Sequence, residues 1–226
     1  MKNKTKFQLK LLDWLCIIAG IAISILTVFV DHDHSLVYII ASLFMLNCGV
    51  AEMILLVNGR RSNYIFTMLC AIASIWVAFI DRFYGNTVIN FFYVIISIIG
   101  FYSWGKHSDK DKTVIARRLT TKQIIFLSLA LVVSSIGLDV TLRYFGGHST
   151  VSDSVSTILI IFASVLGVLR YREQWITWIL ADILLLAMWL PIGSPAVIAL
   201  RVFFLLSSTY GYFNWRKLIK NNKNTK

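Results

Sequence analysis

Trp175, Trp178, Asp182 and Trp189 are separated by three, four and seven positions. At about 100° per residue this spacing lays them along one narrow stripe of a helix. Indoles and a carboxylate facing one way suit a flat cationic ring, held by stacking, cation–π attraction and opposite charge. A plainer reading puts Trp175 in an interfacial aromatic belt, where Trp104 and Trp215 are also expected, and pairs Asp182 with Arg201. Asn90, Tyr93, Ser97, Phe101 and Trp104 form a second stripe. Its polar members could meet a ligand, or mediate helix contacts in lipid as small and hydroxyl residues do. Glu52, with Asn47 on the same apolar run, could hold a cationic ligand, pair with Arg201 or relay a proton.

Other chemistries lack their residues. Asp31-His32-Asp33-His34 has metal-ligand side chains, but a short turn offers no rigid outer shell to orient them, and no metal site is expected. There is no Walker A loop, no GxSxG elbow and no HExxH helix, so neither ATP hydrolysis nor covalent catalysis is expected, nor any cofactor. The chain does not read as an enzyme. Cys16, Cys48 and Cys70 lie inside apolar runs without paired spacing and read as small packing residues. Asp13 and Asp139, near the ends of apolar runs, are expected to reach interfacial water.

The elements that position these residues follow from composition. Hydrophobic residues make up 58% of the 226 and the mean hydropathy is +0.73, beyond the roughly 45–50% apolar share of a soluble domain. Apolar runs at 11–30, 36–57, 64–80, 84–104, 123–144, 153–169, 175–190 and 195–215 predict eight membrane-spanning helices, since lipid satisfies no backbone polar group and β-barrel alternation is absent. The first run is too long for the apolar core of a signal peptide and no small-residue cleavage site follows it, so it reads as a retained helix. The net charge of +11 does not point to nucleic acid. If alternate loops lie on opposite sides, one side holds 19 of the 22 Lys and Arg, which places both termini in the cytoplasm.

A shift of 111 residues aligns the second half with the first without a gap. Gly100-Phe101-Tyr102-Ser103-Trp104-Gly105-Lys106 falls on Gly211-Tyr212-Phe213-Asn214-Trp215-Arg216-Lys217, Arg61 on Arg172, Tyr64 on Trp175 and Asn90 on Arg201. Two parallel three-helix units joined by one helix are expected, and duplicated halves around a substrate site are a transporter design.

Ser62-Asn63-Tyr64, Tyr84-Gly85-Asn86 leading into Phe92-Tyr93, Gly100-Phe101-Tyr102-Ser103-Trp104, Asp153-Ser154, Arg170-Tyr171 and Trp175-x-x-Trp178 occur in this order. Over residues 42–217 the chain resembles the PnuC-type nicotinamide riboside transporters. The resemblance implies an all-α integral membrane protein with a SWEET-like 3+1+3 fold plus an N-terminal helix. Its parts would be residues 1–34 (basic N-terminus and additional helix), 35–105 (first bundle), 106–150 (cytoplasmic loop and linking helix), 151–217 (second bundle) and 218–226 (basic cytoplasmic tail). It also implies facilitated uptake of a vitamin or nucleoside across a bacterial inner membrane, trapping by cytoplasmic phosphorylation, and a homotrimer. Trp175, Trp178, Asp182, Asn90, Tyr93, Arg201 and Glu52 are the expected substrate-binding residues. Position 182 carries Asp where such a transporter has Asn, and Cys70 stands at another usual Asn. Thiamine or a deoxynucleoside is therefore an alternative cargo, and a substrate-binding subunit of a multi-component vitamin importer is an alternative class.

Overall fold

The computed structural model describes residues 11–30, 36–80, 84–109, 111–144, 151–193 and 195–224. The Asp31-to-His34 cluster lies outside them. Eight helices follow the apolar runs: α1 Leu11–Val30, α2 Leu36–Val57, α3 Asn63–Ile80, α4 Tyr84–Lys106, α5 Thr121–Tyr144, α6 Val151–Val168, α7 Gln174–Trp189 and α8 Pro195–Asn224. Stretches of α2, α4, α5 and α6 are long and apolar enough to cross a bilayer by themselves. Apolar stretches in α1, α3 and α7 are shorter, and α8 carries Arg201 and the basic tail. That tail is helical as far as Asn224, nine residues beyond the expected end of the last run. Charge sets the limit of an apolar run, but Lys and Arg are good helix formers, so the backbone continues.

The chain divides into two compact units, residues 1–115 and 116–226. In the first, α1 packs on α2, α2 on α3 and α3 on α4. In the second, α5 packs on α6, α6 on α7 and α7 on α8. Within each, apolar side chains also point outward: Phe29, Tyr102, Phe126, Val133 and Leu206 are all more than half exposed. Ser135 is the only buried residue recorded along α5. Surface this apolar is a liability in water and the normal exterior of a lipid-embedded helix.

Positions related by the 111-residue shift share local geometry inside their own units. Tyr64 meets Trp104 edge-on with centroids 5.1 Å apart, and Trp175 meets Trp215 edge-on at 5.9 Å. Gly100 and Gly211 make room for this, because a Cβ on either would come within 3.0 Å of the Tyr64 or Trp175 ring. The Arg61 guanidinium lies 4.8 Å above the Phe101 ring, and Arg172 lies 4.9 Å above Tyr212. The turns match too: Arg60 N–H donates to Leu55 O at 2.8 Å and Tyr171 N–H to Leu166 O at 2.9 Å.

Two expectations are corrected. Trp104 and Trp215 are fully buried and act as helix wedges rather than members of an interfacial belt. Asp13 is 1% exposed and accepts a hydrogen bond from Asn58 Nδ2 at 2.9 Å, tying the start of α1 to the turn after α2. A nearby amide replaces the interfacial water that a carboxylate at a helix end would otherwise need. Asp139 instead meets Arg143 at 2.8 Å across one helical turn.

Candidate functional site

In the second unit, α7 presents Trp175, Trp178 and Asp182 on successive turns. Asp182 is buried and accepts a hydrogen bond from the Ser208 hydroxyl on α8 at 3.4 Å. The Arg201 guanidinium, two turns earlier on α8, acts on the same carboxylate electrostatically. A carboxylate, a hydroxyl and a guanidinium thus gather between two apolar helices, where each is costly unless it has a partner. Trp178 keeps part of its ring exposed, as does Trp189. Trp175 has no exposed surface. Its ring fills the notch at Gly211, yet its Nε1 hydrogen meets no acceptor among the described residues, so a donor is held ready inside the unit.

In the first unit, Asn90, Tyr93 and Ser97 follow one face of α4. Asn90 and Ser97 are buried and Tyr93 is half-buried. The Ser97 hydroxyl donates to the Tyr93 carbonyl one turn back at 2.6 Å, so it is turned onto its own backbone. Its counterpart Ser208 donates to Asp182. Glu52 on α2 is within hydrogen-bond reach of Thr67 on α3. Cys48 and Cys70 lie close enough to Glu52 to sense its charge. Cys70 Sγ lies 3.7 Å from the Met45 carbonyl, and Ser74 Oγ lies 3.0 Å from Met45 Sδ. The three cysteines are free, and no group of three potential metal ligands occurs among the described residues.

Each unit therefore assembles its own part of the expected set: Trp178, Asp182 and Arg201 in one, Asn90 with Tyr93, and separately Glu52, in the other. The sequence alone did not set Ser208 against Asp182 or Thr67 beside Glu52. The missed signal for Ser208 was available in the shift, which sets a hydroxyl at both 97 and 208.

Residues 35–217 match the family described as Nicotinamide mononucleotide transporter. The chain belongs to that family. Two relatives in it are each named nicotinamide riboside transporter PnuC. The one from Haemophilus influenzae is 36% identical over 177 residues, covering 76% of this chain and 77% of its own. The one from Neisseria mucosa is 30% identical over 221 residues, covering 92% of this chain and 81% of its own. A solved structure described as the crystal structure of the vitamin B3 transporter PnuC matches with a TM-score of 0.76 at 28% identity, covering 97% of this chain and 96% of that one. Family membership and the apolar helices make the chain a multi-pass membrane transporter.

Proposed function

We propose that this protein carries nicotinamide riboside down its gradient across the bacterial inner membrane. The observation that carries the reading is the Asp182–Ser208 pair between apolar helices, in a chain whose relatives are named nicotinamide riboside transporters. Nicotinamide riboside is a flat pyridinium cation on a ribose. Within the second unit Trp178 offers a face for the ring, Asp182 an opposite charge and Arg201 a donor for the hydroxyls; within the first, Asn90 and Tyr93 are the polar groups that would serve the nucleoside. Glu52 is a second carboxylate that the cation meets along its path. Trp175 joins the aromatic wall when α7 and α8 part, which frees its orphan indole N–H for the ligand. Carboxylates at 52 and 182 favour the nucleoside over the mononucleotide, whose phosphate they would repel.

In the same reading all eight helices span, α2–α4 and α6–α8 form SWEET-like bundles joined by α5, and α1 is additional. Both termini are cytoplasmic, three copies assemble, and phosphorylation in the cytoplasm traps the cargo. The Asp at position 182 also favours one alternative, thiamine, which is a cation too.

The test is uptake of labelled nicotinamide riboside by liposomes holding the purified chain alone, with thiamine and a deoxynucleoside as competitors. Uptake without a partner is expected, and its absence would point to an importer subunit. Asp182→Asn should weaken binding roughly 10- to 100-fold, for a lost charge contact of about 1–3 kcal/mol. Trp178→Ala should weaken it by a further factor of roughly 2–30, for about 0.5–2 kcal/mol of cation–π attraction. Unchanged uptake and binding in both variants would remove this site.

A further inference from the structure

Arg170 sits in the turn after α6 with φ of 66°, a left-handed backbone that a residue with a Cβ adopts only with strain. Its counterpart under the 111-residue shift is Gly59, with φ of 65°. The same turn is thus built twice, once with the residue suited to it and once without. The backbone pairing at the turn is also built twice: Val114 N–H donates to Gly59 O at 2.9 Å, and Arg117 N–H donates to Arg170 O at 2.7 Å. A buried valine and a glycine suffice for that pairing in the first unit. The two arginines in the second unit are therefore not needed to form it.

What they add is charge without compensation. Among the described residues the Arg170 side chain makes no hydrogen bond or ion pair, and its Nε is buried. The Arg117 guanidinium lies near enough to act on it, and burial together with that neighbour holds Arg170 below the usual arginine range. Arg117 lies 4.9 Å above the Tyr171 ring. Stacked in this way, a guanidinium keeps its N–H edge for an in-plane acceptor. Glu173, three residues along from Arg170, is already engaged: it accepts from Arg172 Nη2 at 2.9 Å and from Leu119 N–H at 3.1 Å.

We infer that Arg117 and Arg170 form an anion site that takes a phosphate group, from a lipid headgroup or from a soluble phosphate. Two guanidinium edges match the geometry of a phosphate, and an oxyanion between them removes the like-charge repulsion and gives the buried Nε an acceptor.

The test is the melting temperature of the purified full chain in neutral detergent. Sodium phosphate is compared with sodium chloride at equal ionic strength, and added phosphatidylglycerol with phosphatidylcholine. A rise of about 3–6 °C near ten times Kd is expected with one of the two phosphate probes. A response to phosphatidylglycerol alone assigns a lipid headgroup, and a response to free phosphate assigns a soluble ligand. Arg170→Gly copies the first unit, so it should fold and melt no lower than the parent without probe, and it should lose the response. Arg117→Ala, at an exposed position, should lose it as well, while Arg118→Ala, an exposed neighbour, should keep it. No rise in the parent with either probe would overturn the site. So would a full response in Arg170→Gly, or a loss in Arg118→Ala as large as in the pair.

Discussion

Gly100 and Gly211 each lie under an aromatic ring, and the absence of a side chain is what lets α3 approach α4 and α7 approach α8. A methyl group there has no flexible neighbour to displace. Gly211→Ala is expected to destabilise the protein by about 1–3 kcal/mol through overpacking, read from denaturation in detergent. Gly137 on α5 has nothing within 4 Å of its missing Cβ, so Gly137→Ala should be stabilising by about 0.5–1 kcal/mol on helix propensity. Asp13→Ala leaves one hydrogen of the buried Asn58 amide without its acceptor, the other still being held by Ile54 O at 2.9 Å, and should cost about 1–3 kcal/mol in the same measurement. The recurrence of these glycines and aromatics under one shift was legible in the sequence, but the packing of each ring on its glycine was not, because nothing in a repeat says which of its members touch. The Asp13–Asn58 bond was not legible either, since 45 residues separate the partners and neither carries a periodic signal.

At the scale of elements, α7 begins without a side-chain cap. Glu173 occupies the N-cap position with its carboxylate turned elsewhere, toward Arg172 and the Leu119 amide. It thus fastens the segment entering α5 to the start of α7. Its counterpart, Ser62, is too short for that reach, and the first unit makes the equivalent crossing by backbone pairing and the buried Val114. Glu173→Ala leaves a half-buried guanidinium and a buried amide without their acceptor, and should destabilise the second unit by about 3–5 kcal/mol, checked by hydrogen exchange along α5 and α7. The number of helices could be read from the apolar runs, but the end of α8 could not, since charge ends an apolar run without ending a helix. The tie at Glu173 could not, since in the sequence it is one acid in a basic loop.

At the scale of the whole molecule, the boundary at residues 115 and 116 falls in a loop, with Ile115 N–H donating to His107 O before it and Arg117 N–H to Arg170 O after it. Fragments 1–115 and 116–226, expressed together, should both insert and restore uptake to within about tenfold of the intact chain. Reconstitution in liposomes with either fragment omitted is the check. Family and transport class were legible in the sequence because the motifs are ordered along most of the chain. Which side chains meet the cargo was harder to read, because packing aromatics and binding aromatics obey the same helical spacing, as the buried Trp175 and the half-exposed Trp178 illustrate.

The two copies of the aromatic wedge keep their geometry while other paired positions do not keep their chemistry. Tyr64 and Trp175 differ in kind but hold the same pose, while Ala71 and Asp182, or Asn90 and Arg201, have parted in charge. Doubling of an ancestral unit would leave this pattern, with architecture kept in both halves and chemistry free to specialise in each. A saturation screen should therefore find twin profiles of tolerance at wedge positions and unlike profiles at polar ones.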